Sequence, residues 1–491
     1  MAKYLTDELE LQSVADAIRA KGGTSGSLAF PNGFISAIEG IETGSSGSAS
    51  TSTKDVNFRD YDGTIVASYS AADFANLTAL PANPSHDGLT AQGWNWTLAK
   101  AQAYVAKYGK LEIGQMYITD DGKTRVYIHL EQGRTSPMLG VCPNGTVDVD
   151  WGDGTAHDTL TGTSTSTVQW TSNHAYAAPG DYVIKLTVTG SMGFYGNSSA
   201  NQYSGLLRYA SSGDSRNYAY RNAIQRVEIG SSVTSIGSYA FYYCYSLASV
   251  IIPDGVTSIG DSAFQNCNNL ASVAIPDSVT SIGSYAFSNC YNLASVTIPD
   301  SVTSLGSGAF SCCYNLESVI IPDGVTSIGD SAFQNCNNLA SVAIPDSVTS
   351  IGNFAFQNCK ILASITIPDS VTRIGSNAFS NCYILASVTI PDSVTSLGSA
   401  LFSCCYSLAS ITIPDSVTSI SSYVFQDCYS VAEYHLARTT PPALSKTNAF
   451  SSIPADCIIY VPYSADHSIL NAYKTASNWS TYASKMQEEP Q

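Results

Sequence analysis

The stretch Pro276-Asp-Ser-Val-Thr-Ser-Ile-Gly-Ser-Tyr-Ala-Phe-Ser-Asn-Cys-Tyr-Asn-Leu-Ala-Ser-Val-Thr-Ile298 sets the architecture, because its pattern returns every 23 residues. Phe241, Phe264, Phe287, Phe310, Phe333, Phe356, Phe379, Phe402 and Phe425 mark the step, and the nine cysteines Cys244, Cys267, Cys290, Cys313, Cys336, Cys359, Cys382, Cys405 and Cys428 keep it. Asp254–Pro276 and Asp323–Pro345 are identical residue for residue, a mark of internal copying. Eight positions of a unit are apolar, here Val279, Ile282, Ala286, Phe287, Cys290, Leu293, Val296 and Ile298. One unit of this size cannot enclose those side chains, so neighbouring units have to stack around a shared core.

Within the unit, Val296 and Ile298 alternate with Ser295 and Thr297, the period of a half-buried strand. Pro299 has no amide hydrogen for a ladder and ends it. Gly283 allows a turn at positive φ, and Ala286-Phe287 read as one helical turn. Nine such coils fill 230–436 and should extend about 43 Å at about 4.8 Å per strand. The cysteine ladder reads as reduced and buried, since stacked equivalents hold their Cβ vectors parallel, a poor geometry for bridging. No Cys-x-x-Cys spacing suggests zinc.

The pattern Ile-Pro-Asp-Ser-Val-Thr-Ser-Ile-Gly, Ala-Phe, Cys, Leu, Val-x-Ile resembles the BspA-type leucine-rich repeat of bacterial surface and phage proteins. The resemblance implies a binding scaffold and leaves the ligand open. Outside the repeats the chain changes character. Residues 1–42 carry two short amphipathic patterns, with Leu11, Val14 and Ile18 before Gly22-Gly23, then Phe34, Ile35, Ile38 and Ile41. Their sequence resembles the N-termini of tail proteins of phages and prophages of Gram-positive bacteria, which implies attachment to the tail or baseplate. Residues 43–53 are a Ser/Gly/Thr linker by composition. Residues 54–139 read as a small mixed α/β domain, whose Val56-Asn-Phe-Arg-Asp-Tyr-Asp and Gly88-Leu-Thr-Ala-Gln-Gly-Trp stretches resemble the same phage-tail group. Trp94 and Trp96 are secondary candidates for stacking on a glycan, against the plainer role of packing that domain. Residues 140–192, with Val147-Asp-Val-Asp-Trp-Gly-Asp-Gly-Thr, His174-Ala-Tyr and Gly180-Asp-Tyr-Val-Ile, resemble an immunoglobulin-like PKD sandwich. Residues 193–229 read as a connector and N-terminal cap, and 437–491 as a C-terminal cap that shields the last coil. The fold class is therefore multidomain and mainly β: a nine-coil solenoid preceded by a sandwich, a small mixed domain and a helical segment.

Charge narrows the function. Only 12% of the 491 residues are charged, and 39 acidic against 22 basic residues give a net charge of −17. That balance removes the usual drive toward nucleic acid or anionic lipid. No run is apolar enough for a membrane span or a secretory signal, so synthesis without a signal peptide in the host cytoplasm and assembly into a virion are the expectation. The six histidines match no zinc-protease spacing, and no nucleophile elbow or phosphate loop occurs. Asp148, Asp150 and Asp153 hint at calcium, but a twelfth position at Thr159 rules out an EF-hand loop, and turn chemistry accounts for them. The reading therefore assigns no catalytic residue, no metal and no cofactor.

The variable positions carry the candidate site. The residue after each ladder cysteine is Tyr245, Asn268, Tyr291, Tyr314, Asn337, Lys360, Tyr383, Tyr406 or Tyr429. Tyr, Asn and Ser are the residues that binding loops favour, because Tyr gives amphipathic area at low entropic cost. These observations and resemblances point to a phage or prophage tail-associated receptor-binding adhesin that recognises a bacterial surface glycan or protein through the solenoid. A bacterial cell-surface adhesin and an envelope-glycan depolymerase are the alternatives. Tail fibres of the resembling group are often trimeric homo-oligomers, although no heptad run marks a coiled coil here.

Overall fold

The computed structural model describes residues 55–60, 64–94, 97–108, 111–119, 121–196, 206–208 and 222–490. The attachment segment read at 1–42, the linker at 43–53 and Trp96 lie outside the described residues. Residues 54–491 form one compact unit. It is mainly β, and none of its described helices is long and apolar enough to cross a membrane.

The first part of this unit is a four-stranded sheet. Strands β1 (Val56–Arg59), β2 (Ile65–Tyr69), β3 (Leu89–Trp94) and β4 (Leu111–Thr119) lie in the order β2-β1-β4-β3. The parallel pair β1/β4 needs a crossover, and helix α2 (Leu98–Tyr108) supplies it after the one-turn helix α1 (Ala71–Ala75). Ser70 caps α1 by accepting the Asp73 amide on its Oγ at 3.1 Å. Phe58, Phe74, Trp94, Ala101, Val105, Leu111 and Ile113 close the core.

Next comes a second antiparallel sheet built on two long strands. Strands β5 (Thr124–Leu130), β6 (Met138–Asp150), β7 (Asp158–Thr163), β8 (Gln169–Trp170) and β9 (Gly180–Phe194) join so that β5 pairs β9, β9 pairs β6, and β6 also takes β7, β8 and the short β10 (Leu207–Arg208). Gly145 and Gly190 face each other across β6 and β9 at φ +126° and +102°. A Cβ on either would collide with the opposing carbonyl, of Thr189 or Asn144, so glycine is required where the two strands press together.

This sheet is continuous with the solenoid through strand pairing. Strand β11 (Ile224–Glu228) pairs with β5 on one side and, in parallel, with Ser249–Ile251 on the other. Strand β12 (Val233–Ile236) pairs with the end of β9 and with Ser258–Ile259. Strands β5 and β9 therefore cap both solenoid sheets at their N-terminal edge, as edge strands require.

The solenoid has about eleven turns rather than the nine expected, with long strands stepping from Ile224–Glu228 to Ile458–Val461. One turn was hidden at each end because the terminal coils keep the strand but lose the Phe and Cys register. The phenylalanines stack with centroids 5.0–5.8 Å apart and planes within 10° from Phe241 to Phe425. The expected helical turn at Ala286-Phe287 is absent. Tyr285 and Asn289 instead have φ of 57° and 60°, and the amides of Tyr285, Phe287 and Asn289 each donate at 2.8 Å to the next coil, at Ser307, Ala309 and Ser311. A helical turn would spend those amides within its own coil, whereas here they make a third ladder. Asn tolerates the left-handed region better than most residues, which accounts for Asn266, Asn289, Asn335, Asn358 and Asn381 at that step.

At the far end Met486–Glu488 adds a parallel strand to Ile458–Val461. Helix α3 (Ser468–Thr475) and a 3-10 segment (Trp479–Lys485) bring Trp479 and Tyr482 onto Phe450, which continues the phenylalanine stack. Each Pro-Asp turn exposes an aspartate, from Asp254 to Asp415. Arg438 occupies the next place in that row and donates to the Asp415 carbonyl at 2.7 Å.

Candidate recognition surface

The coil fixes its inner face. Each thiol from Cys267 to Cys428 donates to the carbonyl of the phenylalanine 26 residues earlier, at 3.2–3.4 Å. Burial pushes these thiols up, Cys382 to about 12. All thirteen cysteines are free, and only Cys312 and Cys404 are partly exposed.

The residues after the cysteines form a row along one corner, interrupted in the middle. Tyr291 and Tyr314 stack with centroids 4.9 Å apart and planes 15° from parallel. Asn337 and Lys360 follow, and then Tyr383, Tyr406 and Tyr429 form a second column at 4.9 and 5.5 Å. Asn268 and Tyr245 precede the first column, and Tyr245 joins a cluster with Tyr243, Tyr242 and Tyr239. Stacking uses the ring faces on one another, so within a column the tyrosines offer edges and phenol groups rather than platforms for sugar rings. Burial also pushes the Tyr406 phenol up.

Other candidates sit elsewhere. Trp94 is 8% exposed, packs edge-on against Phe58 at 4.8 Å, and donates its indole N–H to the Pro81 carbonyl at 2.8 Å. Its ring therefore belongs to the core of the small domain and has no face for a glycan. Asp148 and Asp150 both face His157, at 2.9 and 3.7 Å, whereas Asp153 turns to His174 at 2.8 Å, so the three carboxylates share no single centre. Among the described residues no three His, Cys, Asp or Glu side chains are placed to hold a metal ion. All six histidines are hydrogen-bonded to a carboxylate.

Two features of the surface lie outside the candidate row, the first at the variable pair before each Ala-Phe and the second with no signal in the repeat itself. Tyr285, Phe354 and Tyr423 are 46, 37 and 43% exposed at the left-handed position two before each ladder phenylalanine. Tyr285 leans on Gly308, where a Cβ would meet the ring at 2.5 Å. The signal available was their fixed offset from the phenylalanines. The second feature is the outward side of the long-strand sheet. Over Ser249–Ile320 the small domain covers it, with Ile251 against Leu89 and Tyr117, and Ile320 in the cluster of Phe58, Phe74 and Trp94. Farther on, Ala363, Ser364 and Thr366, then Ala386, Ser387 and Thr389, then Ala409, Ser410 and Thr412, are exposed.

Stacked parallel coils of one strand, turns and a second short strand define a leucine-rich-repeat solenoid. Residues 214–340 and 326–452 match the family model described as BspA type leucine rich repeat region (6 copies), so this solenoid is built of BspA-type leucine-rich repeats. Among solved structures, a leucine-rich repeat protein from Bacteroides ovatus is 31% identical with a TM-score of 0.44, over 52% of this chain and 64% of that one. The present chain thus spans less than two thirds of that relative. The leucine-rich repeat protein of T. pallidum is 33% identical over 33% of this chain and 78% of its own, with a TM-score of 0.31. A leucine rich cell surface protein from Faecalibacterium prausnitzii is 29% identical over 60% of this chain and 93% of its own, at a TM-score of 0.34. No curated protein matches the chain.

Proposed function

We propose that the protein is a non-enzymatic adhesin, carried on a phage or prophage tail, that binds a bacterial surface glycan or protein through its solenoid. One observation carries the binding role: a fixed inner ladder of Phe and Cys supports an outer surface that varies in Tyr, Asn and Ser. A rigid scaffold loses little entropy on binding, which favours affinity. The tail assignment rests on the resemblance of residues 1–42 and 54–139 to phage-tail proteins, and the PKD-like assignment of 140–192 on its Trp-Gly-Asp-Gly motif. Trp151 supports the latter: its indole donates to Asp158 at 3.0 Å and its ring stacks on His174 at 4.4 Å. The BspA-type repeats also favour a second reading, a cell-surface adhesin.

Antibody against the solenoid separates the two. On particles induced from the strain that carries the gene, labelled tail tips are expected, and deletion of residues 1–42 should leave a folded protein that no longer enters tails. Label confined to the envelope of uninduced cells would instead establish the cell-surface reading.

A further inference from the structure

We propose that the open half of the long-strand sheet, residues 361–414, is a binding site for an uncharged polysaccharide. The inference rests on the reading of the solenoid as a surface-binding module, and it names a face and a ligand class.

The outward residue between the last two apolar positions of each coil runs Ile251, Ala274, Thr297, Ile320, Ala343, Thr366, Thr389, Thr412 and, in the last repeat, His435. The small domain is seated between the two isoleucines, so this side of the sheet already acts as a docking surface within the chain. The three coils beyond Ala343 continue it without an apolar anchor. A second copy of the small domain would find nothing to hold there. A polyol would find a flat strip, because alanine, serine and threonine let a polymer approach closely, and each hydroxyl can donate and accept.

Charge selects among polymers. Segments 361–368, 383–391 and 406–414 contain no charged residue in a chain whose net charge is −17. Lys360 and Glu433 lie before and after them, and Asp369, Asp392 and Asp415 begin only past the prolines. A polyanion such as a phosphate-rich wall polymer would meet a single cation, Lys360, at one end of the strip and a row of carboxylates beside the rest. A neutral glycan meets only hydroxyls and the phenol edges of Tyr383, Tyr406 and Tyr429 at the neighbouring corner.

The test is sign-independence. The full chain is compared with the triple variants T366K/T389K/T412K and T366E/T389E/T412E for binding to protease-stripped cell walls of the host, before and after periodate oxidation. Binding should fall by about tenfold or more in both triples and after periodate. The equally exposed short-strand variant T303K/T326K/T349K should bind like the parent. If one sign weakens binding and the other strengthens it, the ligand is charged and the neutral assignment falls. If protease stripping of the walls abolishes binding, the ligand is a protein and the proposal falls. If both triples bind as the parent does, the face is wrong while the adhesin reading stands. Should the triples dissociate a dimer in sedimentation with wall binding unchanged, the strip is a self-interface. A parent that binds neither walls nor whole cells overturns the adhesin reading itself, and this inference with it.

Discussion

The tetrapeptide Ala-Ser-Val-Thr occurs at 294–297 and again at 386–389. In both copies the valine points inward and is buried, Val296 at 3% and Val388 at 8% exposure. The outward residues part company: Ser295 and Thr297 are buried beneath the small domain, whereas Ser387 and Thr389 are exposed. The identical segments Asp254–Pro276 and Asp323–Pro345 repeat the lesson, with Ser272 buried and Ser341 only half-buried. The inward side of a coil is dictated by its own sequence, because the side chains alternate and one face must fill the core. The outward side depends on what the rest of the chain lays upon it.

The largest expected effect falls on the inward side, where the two halves should behave alike. An unfolded thiol ionises near pH 8.5, but burial holds the ladder thiols protonated well above that. Above about pH 8.5 the unfolded chain therefore binds fewer protons than the folded one, and stability falls as pH rises. Below that pH the contribution is complete. Each such thiol withdraws about 1.4 kcal/mol per pH unit until its folded form also ionises. Urea midpoints measured with reductant from neutral pH into the alkaline range should drop steeply, and hydrogen exchange should show coils on both sides of Ala343 opening together. A midpoint that stays level two units above the thiol value would show that the folded thiols ionise freely.

A smaller effect should separate the halves. Ile320→Ala removes an anchor of the small domain and is expected to cost about 2 kcal/mol, the low end for a buried isoleucine. The loss should be read in the small domain, as a red shift of Trp94 emission and faster proteolysis within 54–120, while the solenoid keeps its unfolding midpoint. Thr366→Ala, at the equivalent outward place in the open half, should stay within about 0.5 kcal/mol of the parent. Equal costs for the two substitutions would mean that the small domain does not rest on Ile320.

How much of this could be read beforehand follows from the same asymmetry. The repeat period, the eight inward positions and the buried ladder were legible, because a 23-residue copy repeats its own core contacts. The helical turn at Ala286-Phe287 was misread, since apolar pairs look alike in a helix and in a run of turns, and only the Asn two residues later hinted at positive φ. The pairing of Thr124–Leu130 with Ile224–Glu228 spans about a hundred residues, and nothing local in either strand encodes it. The cover over Ile251 and Ile320 left a trace, two isoleucines at outward positions, but its meaning depended on a partner elsewhere in the chain. Tyr383 and Tyr406 were legible as surface residues. Their stacking, which turns ring faces into edges, required the coils to be in register.

The smallest effect is the sharpest test of the comparison, because it places one substitution in two copies of one tetrapeptide. Arg59, Asp60, Ile113 and Gly114 of the small domain meet Ser272, Ser295 and Thr297 around a cavity of about 20 Å³, room for a single water. An arginine at position 297 cannot fit there, so Thr297→Arg must lift or tilt the small domain, an overpacking expected to cost about 1–3 kcal/mol. Asp60 gives the guanidinium no easy refuge: its carboxylate already accepts the Tyr117 hydroxyl at 2.8 Å and contacts His86 at 2.7 Å. Thr389→Arg puts the same side chain in the same local sequence on an open strip, where a change within about 0.5 kcal/mol is expected. Denaturation midpoints of the two variants, with Trp94 emission reporting on the small domain, decide the matter. If Thr297→Arg matches Thr389→Arg in both readouts, the small domain does not cover these coils in solution, and the whole outward face from Ser249 to Thr412 is then one continuous surface.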